Sequence, residues 1–342
     1  MVFDMEMIRS TAKLLMLSNA AQIRFLTRIS LSLFLFVSCL ATFAGAQTNP
    51  SNDQQLQYAT FEGHRVHYKN WGRGEEALIF VHGWACDESF WTLQISAFKE
   101  KLRIISIDLP GHGQSDKPEI PYTQDLFARS INAVITDSGV KRGVLVGHSM
   151  GVPTVRQFYR HFPKKTLALV FVDGSLRPTA SKESTAKFID SLRGSNFQNV
   201  IAASARGLVG PQIPKALRLH MTSVMVQTPQ HVAASSAEGM MDSRVWLEDK
   251  IEVPVLAIFA RSPVWKEDNE SFYRSLAPNL DYQMWEGVGH FLMVEKAIEF
   301  NETLRSFLET IEFLKKKKEG NLEYNKNKYW PLRYRSNRHF GG

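Results

Sequence analysis

The chain has 342 residues, 44% hydrophobic and 22% charged, with ordinary glycine and proline content, which excludes a disordered, collagenous or polytopic membrane protein. Two cysteines, Cys39 and Cys86, exclude a disulfide framework and a cysteine-rich zinc or iron–sulfur site. The formal charge of +7 sits at the ends: residues 315–342 hold nine Lys/Arg against two Asp/Glu, residues 1–46 four against two, and the body 28 against 30, so the body has no basic field for nucleic acid.

Residues 1–46 read as an export signal. Arg24 and Arg28 precede the apolar stretch Ile29 to Ala44, and Ala44-Gly45-Ala46 supplies the small residues of a cleavage site. Ser30, Ser32, Ser38 and Thr42 interrupt that stretch, which argues for a cleaved signal over a permanent span, and Phe36-Val37-Ser38-Cys39 is a poor lipid-attachment box. Met16 is an alternative start. The mature protein then begins at Gln47, carries one thiol and works in the periplasm or outside the cell.

Between Gln47 and Leu314, short apolar runs alternate with stretches of helical period. The runs are Ala77 to Val81, Arg103 to Ile107, Gly143 to Val146, Ala168 to Val172, Val253 to Ala260 and Tyr282 to Trp285. Several are apolar throughout, as in parallel strands buried on both faces. Helices are expected near Glu88 to Glu100, Thr123 to Ser138, Met150 to Phe162 and Glu267 to Leu276, and from Ala297 to Leu314, where Phe300, Leu304, Phe307, Leu308 and Ile311 form one stripe. This order predicts an α/β sheet with helices on both faces. Residues 175–250 hold only helical patterns, with Met221, Met225, Met240 and Met241 among them. They read as a helical insertion, and over the carboxyl ends of the strands they would cap a substrate pocket. Residues 315–342 run from Lys315 to Lys318 through Tyr324, Tyr329, Trp330 and Tyr334. Two readings stand for them: a solvated, disordered extension, or a basic-aromatic segment for a membrane or another anionic surface.

Gly147-His148-Ser149-Met150-Gly151 follows the run Val144-Leu145-Val146 directly and opens a helical segment with Pro153 in its first turn. A G-x-S-x-G sequence between strand and helix makes Ser149 a candidate nucleophile, because the flanking glycines allow a turn too tight for side chains. A serine hydroxyl needs a base. His290, in Gly287-Val288-Gly289-His290-Phe291 between the last strand and the last helix, is the histidine in a suitable loop; His148 adjoins the nucleophile and is not taken as the base. Acyl transfer also needs donors for the developing oxyanion, and the backbone amides of Trp84, in Phe80-Val81-His82-Gly83-Trp84, and of Met150 are the candidates.

Four motifs in this order resemble the α/β-hydrolase superfamily: His82-Gly83-Trp84, Asp108-Leu109-Pro110-Gly111-His112-Gly113-Gln114-Ser115, Gly147 to Gly151, and Gly289-His290. The similarity runs from about Tyr58 to Leu314. The resemblance implies an eight-stranded, mostly parallel sheet with a helical cap over residues 175–250, a core over 47–174 and 251–314, and a Ser-His-acid triad without metal or organic cofactor. The serine points to the capped esterase, lactonase and C–C hydrolase branch; epoxide hydrolases and haloalkane dehalogenases need a carboxylate there. One departure concerns the acid. Members commonly carry it after the strand represented by Pro254 to Phe259, where this chain reads Ala260-Arg261-Ser262-Pro263-Val264-Trp265. Two aspartates are candidates. Asp173 ends the run Leu169 to Val172 beside the nucleophile strand, 24 residues after Ser149, and Asp268 stands farther along the usual loop at a helix start. Asp173 is taken as the triad acid, with Asp268 the alternative.

The expected function is an exported serine hydrolase that cleaves a carboxylic ester or lactone with a hydrophobic part through an acyl-enzyme on Ser149. Trp84, His148 and Trp265 are taken as substrate contacts. A ligand receptor of the same fold with slow hydrolysis is the rival reading, and a catalytically dead scaffold a third. Nothing in the sequence bears on oligomeric state.

Overall fold

The computed structural model describes residues 57–314; the expected export signal and cleavage site and the basic tail lie outside them. Two strands precede every run singled out above. β1 (Gln57–Phe61) and β2 (His64–Trp71) form an antiparallel hairpin in register Ala59 to Val66. Glu62 and Gly63 at its turn both have positive φ. Only Ala59, Val66, His67 and Tyr68 are buried, and His64, Arg65, Lys69 and Asn70 interrupt the apolar signal, so this edge of the sheet does not announce itself by hydrophobicity.

The chain continues through β3 (Glu76–Val81), α1 (Thr92–Phe98), β4 (Ile104–Ile107), α2 (Gln124–Asp137), β5 (Arg142–His148), α3 (Gly151–His161) and β6 (Thr166–Val172). After an intervening segment come β7 (Val255–Ala260), α8 (Asn269–Leu276), β8 (Leu280–Trp285), α9 (Leu292–Glu295) and α10 (Ala297–Thr310). The sheet has eight strands in the order β1-β2-β4-β3-β5-β6-β7-β8. β2 pairs antiparallel with β1 and β4, and all later pairs are parallel.

Side chains alternate across the parallel strands. Leu78, Phe80, Val144, Val146, Val170 and Val172 join Phe98 of α1 and Phe300, Leu304 and Leu308 of α10 on one face. Ile79, Val81, Leu145, Leu169 and Phe171 join α2, α3 and α8 on the other. Both faces are covered, which is why these strands are apolar at nearly every position. Thr123 caps α2, its hydroxyl accepting from the Leu126 amide at 3.1 Å.

Strand order reverses at β3, which lies between β4 and β5, so a crevice opens outside the carboxyl ends of β3 and β5. The segment between β6 and β7 carries no strand, only α4 (Lys182–Arg193), α5 (Phe197–Leu208), α6 (Lys215–Val226), α7 (Gln230–Glu238) and two short 3-10 turns. Met221 and Met225 are buried there, while Met241 is exposed. α7 is fastened to the sheet side: the Trp84 indole donates to the Ala233 carbonyl at 2.9 Å, and the Tyr122 amide donates to the Ser235 hydroxyl at 2.9 Å. The return strand is anchored by the buried Arg156, which donates to the Asp249 carbonyl at 2.6 Å and pairs with its carboxylate at 2.8 Å.

Candidate active site

β5 ends at His148 and α3 begins at Gly151, so the turn between them has two residues, Ser149 and Met150. Ser149 is held at φ 53°, a conformation that costs a non-glycine residue roughly 1–3 kcal/mol and persists only when its surroundings enforce it. They do. The Ser149 amide donates to the Val172 carbonyl at 2.9 Å, and the Ser149 carbonyl accepts from Val152 at 3.0 Å. The flanking glycines are required by contact: a Cβ at Gly147 would lie 2.3 Å from the Gly151 carbonyl oxygen, and one at Gly151 2.6 Å from that of Val81.

The structure brings Ser149, His290 and Asp173 together. His290, on the loop between β8 and α9, has Nε2 2.9 Å from Ser149 Oγ and Nδ1 2.7 Å from Asp173 Oδ2. With Nδ1–H donating to the carboxylate, Nε2 is the acceptor facing the hydroxyl. Asp173 follows β6 at φ 43° and is 93% buried. Its amide donates to the Ile258 carbonyl at 2.8 Å, and its Oδ1 accepts from the Ala260 amide at 2.8 Å, which leaves Oδ2 for the imidazole. The side chain of His290 is 22% exposed, so the imidazole is reachable from the crevice. Asp268 is elsewhere. It occupies the N-cap position of α8 without a side-chain cap bond, and its carboxylate instead meets the Arg177 guanidinium at 2.5 and 3.0 Å.

The loop after β3 approaches Ser149 closely: a Cβ at Gly83 would lie 3.0 Å from Ser149 Cβ. The backbone N–H groups of Trp84 and Met150 donate no backbone hydrogen bond among the described residues, as expected of donors kept for a ligand. The loop itself is fixed by His82, whose Nδ1 donates to the Gly83 carbonyl at 2.8 Å and whose Nε2 accepts from the Leu109 amide at 3.0 Å. Trp84 is half-buried, with its ring edge-on to the exposed Phe188 of α4 at 5.7 Å.

Two expected substrate contacts are corrected. His148 is 1% exposed, packed against Trp91 and Phe291, and its Nε2 donates to the His290 carbonyl at 2.9 Å. Burial holds its imidazole well below the ordinary histidine range, so it is a neutral brace for the His290 loop. Trp265 packs on Phe259 and donates to the Ala260 carbonyl at 2.9 Å, bracing the residue whose amide holds Asp173. It lines a surface cleft with Arg261, Pro263, Lys266 and Met284 that includes no triad residue.

The sequence gives no role to the polar cluster beneath the loop after β3. Asp108 is buried and accepts from His67 Nδ1 at 2.7 Å and from the amides of Glu88 and Gln114, both at 2.8 Å. Those bonds hold its carboxyl below the usual range despite burial, which acts the other way. The only signal was the Asp108 to Ser115 motif. The single described thiol, Cys86, is buried, which pushes its pKa up and leaves it a poor nucleophile. Among the described residues no group of three His, Cys, Asp or Glu side chains could hold a metal ion.

A family model described as the alpha/beta hydrolase fold matches residues 76–243, which include Ser149 and Asp173 but stop short of His290. A bifunctional esterase/perhydrolase of Acinetobacter calcoaceticus is 26% identical over 270 residues, 73% of this chain and 98% of that protein. Among solved structures, an esterase of Exiguobacterium antarcticum superposes with a TM-score of 0.67 at 20% identity, covering 74% of this chain and 99% of that one. An enol-lactonase of Burkholderia xenovorans gives 0.65 at 19%, with 74% and 99% covered.

Proposed function

The chain belongs to the α/β-hydrolase superfamily, and from that premise we propose that it is an exported serine hydrolase cleaving a carboxylic ester or lactone with a hydrophobic part. The observation that carries the reading is one imidazole bridging two partners, Ser149 Oγ at 2.9 Å and Asp173 Oδ2 at 2.7 Å. Ser149 attacks the acyl carbon while His290 Nε2 takes its proton. Asp173 keeps the imidazole in the tautomer with Nδ1 protonated and stabilises the imidazolium that forms. The Trp84 and Met150 amides receive the oxyanion, where each donor is worth roughly 10²–10³ in kcat. His290 returns its proton to the leaving alcohol, and water repeats the sequence on the acyl-enzyme.

Trp84 and Phe188 offer the substrate an aromatic wall, which supports an acyl or alcohol group with apolar surface. Esterase and lactonase activities among the similar proteins agree with this class. Export follows from residues 1–46, with cleavage after Ala46.

The test uses the protein from Gln47 on nitrophenyl esters of increasing acyl length. Wild type should turn over with an initial burst of one nitrophenol per labelled serine, and Ser149→Ala should be silent and unreactive toward a fluorophosphonate. Equal rates for the two on every ester would remove the reading. The N-terminus of protein recovered from the culture medium or periplasm should be Gln47.

A further inference from the structure

Glu295 closes the turn that carries His290. Its Oε2 accepts a 2.9 Å hydrogen bond from the backbone N–H of Gly289, the residue before the histidine, and its own amide donates to the Phe291 carbonyl at 3.0 Å. His148 holds the next carbonyl from beneath, so the His290 backbone is gripped on both sides. The second oxygen of Glu295, Oε1, is buried and has no hydrogen-bond partner among the described residues. A buried carboxyl oxygen without a donor is costly, and it persists only where the surroundings keep it.

Two backbones enclose that oxygen. A Cβ at Gly289 would lie 2.8 Å from Oε1, and a Cβ at Gly210 would lie 2.9 Å from it. Gly210 belongs to the segment between β6 and β7, in the link from α5 to α6. One carboxyl therefore touches the histidine loop on one side and the capping helices on the other. With the Gly210 segment seated, Oε1 is shielded from solvent and the Gly289 bond is the only hydrogen bond the carboxyl makes among the described residues. Lifting the segment admits water to Oε1 and sets that bond in competition with solvent.

We propose that Glu295 is a positioning residue for His290, and that the Gly210 link, packed on its free oxygen, transmits the seating of the cap to the histidine. The inference rests on the hydrolase reading for its kinetic consequence, and on geometry alone for its structural one. Two readouts separate them. One is kcat and KM per serine titrated with fluorophosphonate. The other is the low-field proton resonance of the His290 Nδ1–H bond, identified by its absence from Asp173→Asn.

Glu295→Gln keeps an oxygen for Gly289 and should stay within about threefold of wild type, with the resonance unmoved. Glu295→Ala should lower kcat by roughly 10- to 100-fold, the scale of a small misplacement of a reacting group, with KM nearly unchanged and the resonance shifted or broadened. Gly210→Ala should shift the same resonance and lower kcat severalfold, and the double variant should be no slower than Glu295→Ala. Should Glu295→Ala fold poorly, Gly210→Ala carries the test through the resonance. Wild-type kcat and an unmoved resonance in Glu295→Ala would overturn the positioning role, and losses that multiply in the double variant would overturn the link to the cap. A wild type that fails to turn over while the resonance moves in Glu295→Ala would remove the hydrolase reading and leave the positioning intact.

Discussion

Five non-glycine residues among those described have positive φ, and three of them, Ala85, Ser149 and Asp173, lie just past the carboxyl ends of β3, β5 and β6. Strain of this kind gathers where surrounding structure is asked to hold a group for use. At Asp173 the consequence is testable. Asp173→Asn preserves shape but removes the acceptor that fixes the imidazole tautomer, so kcat should fall by about 10⁴ with little change in thermal midpoint. Asp268→Asn should leave kcat within about threefold, because that carboxylate is spent on Arg177 at the surface. Steady-state kinetics of the two variants, with circular dichroism as the folding control, checks both. The resemblance to the family narrowed the acid to these two residues, one at a strand end and one along the usual loop. Choosing between them took the third dimension, since the 117 residues separating Asp173 from His290 carry no local signal of their contact.

At the scale of elements, β3 to β7 read clearly because they are covered on both faces and nearly every position is apolar; β1 and β2, at the antiparallel edge, mix buried and solvated positions and carry no such run. Helix ends were legible for a chemical reason. Thr123 and Ser138 bound α2, and Met150 and Phe162 bound α3, because caps and the tight turn at Gly151 are written locally. The final helix ends at Thr310 rather than continuing to Leu314, although Leu314 stays packed against the core beside it. Residues 175–250 showed helical period in the sequence, but not the Trp84–Phe188 contact that joins α4 to the loop after β3. That contact gives a specificity prediction. Phe188→Ala should lower kcat/KM on a long-chain nitrophenyl ester by about tenfold, equivalent to the ~1.4 kcal/mol expected from losing part of an aromatic wall that the bound chain would cover, while an acetyl ester changes by less than about twofold.

For the whole molecule, the arrangement of buried histidines sets the response to acid. His82, His112 and His148 are each at most 2% exposed, and burial is the leading cause lowering the pKa of each, to about 3 for His112. The unfolded chain binds protons at these sites below about pH 6.5 while the folded protein does not, so the unfolded state holds more protons in that window. Stability is therefore present above pH 6.5 and falls as the pH drops, by up to about 1.4 kcal/mol per pH unit for each such group, with the His112 share extending down to about pH 3. Urea unfolding at pH 7.5, 6.0 and 5.0 measures the slope. His112→Gln should flatten it by about one histidine's share, and an unchanged slope would refute the assignment.

The sequence by itself determined the class of sheet, most of its parallel runs, the Ser149 turn and the His290 loop, because buried runs, glycine-bounded turns and caps are local chemistry. Only the tertiary structure decided which aspartate meets His290, that His148 and Trp265 brace the site instead of facing a substrate, and that Glu295 stands between the histidine loop and Gly210. Each of those pairings joins residues from different elements, and contacts across a sheet follow from its topology, which no window along the chain contains.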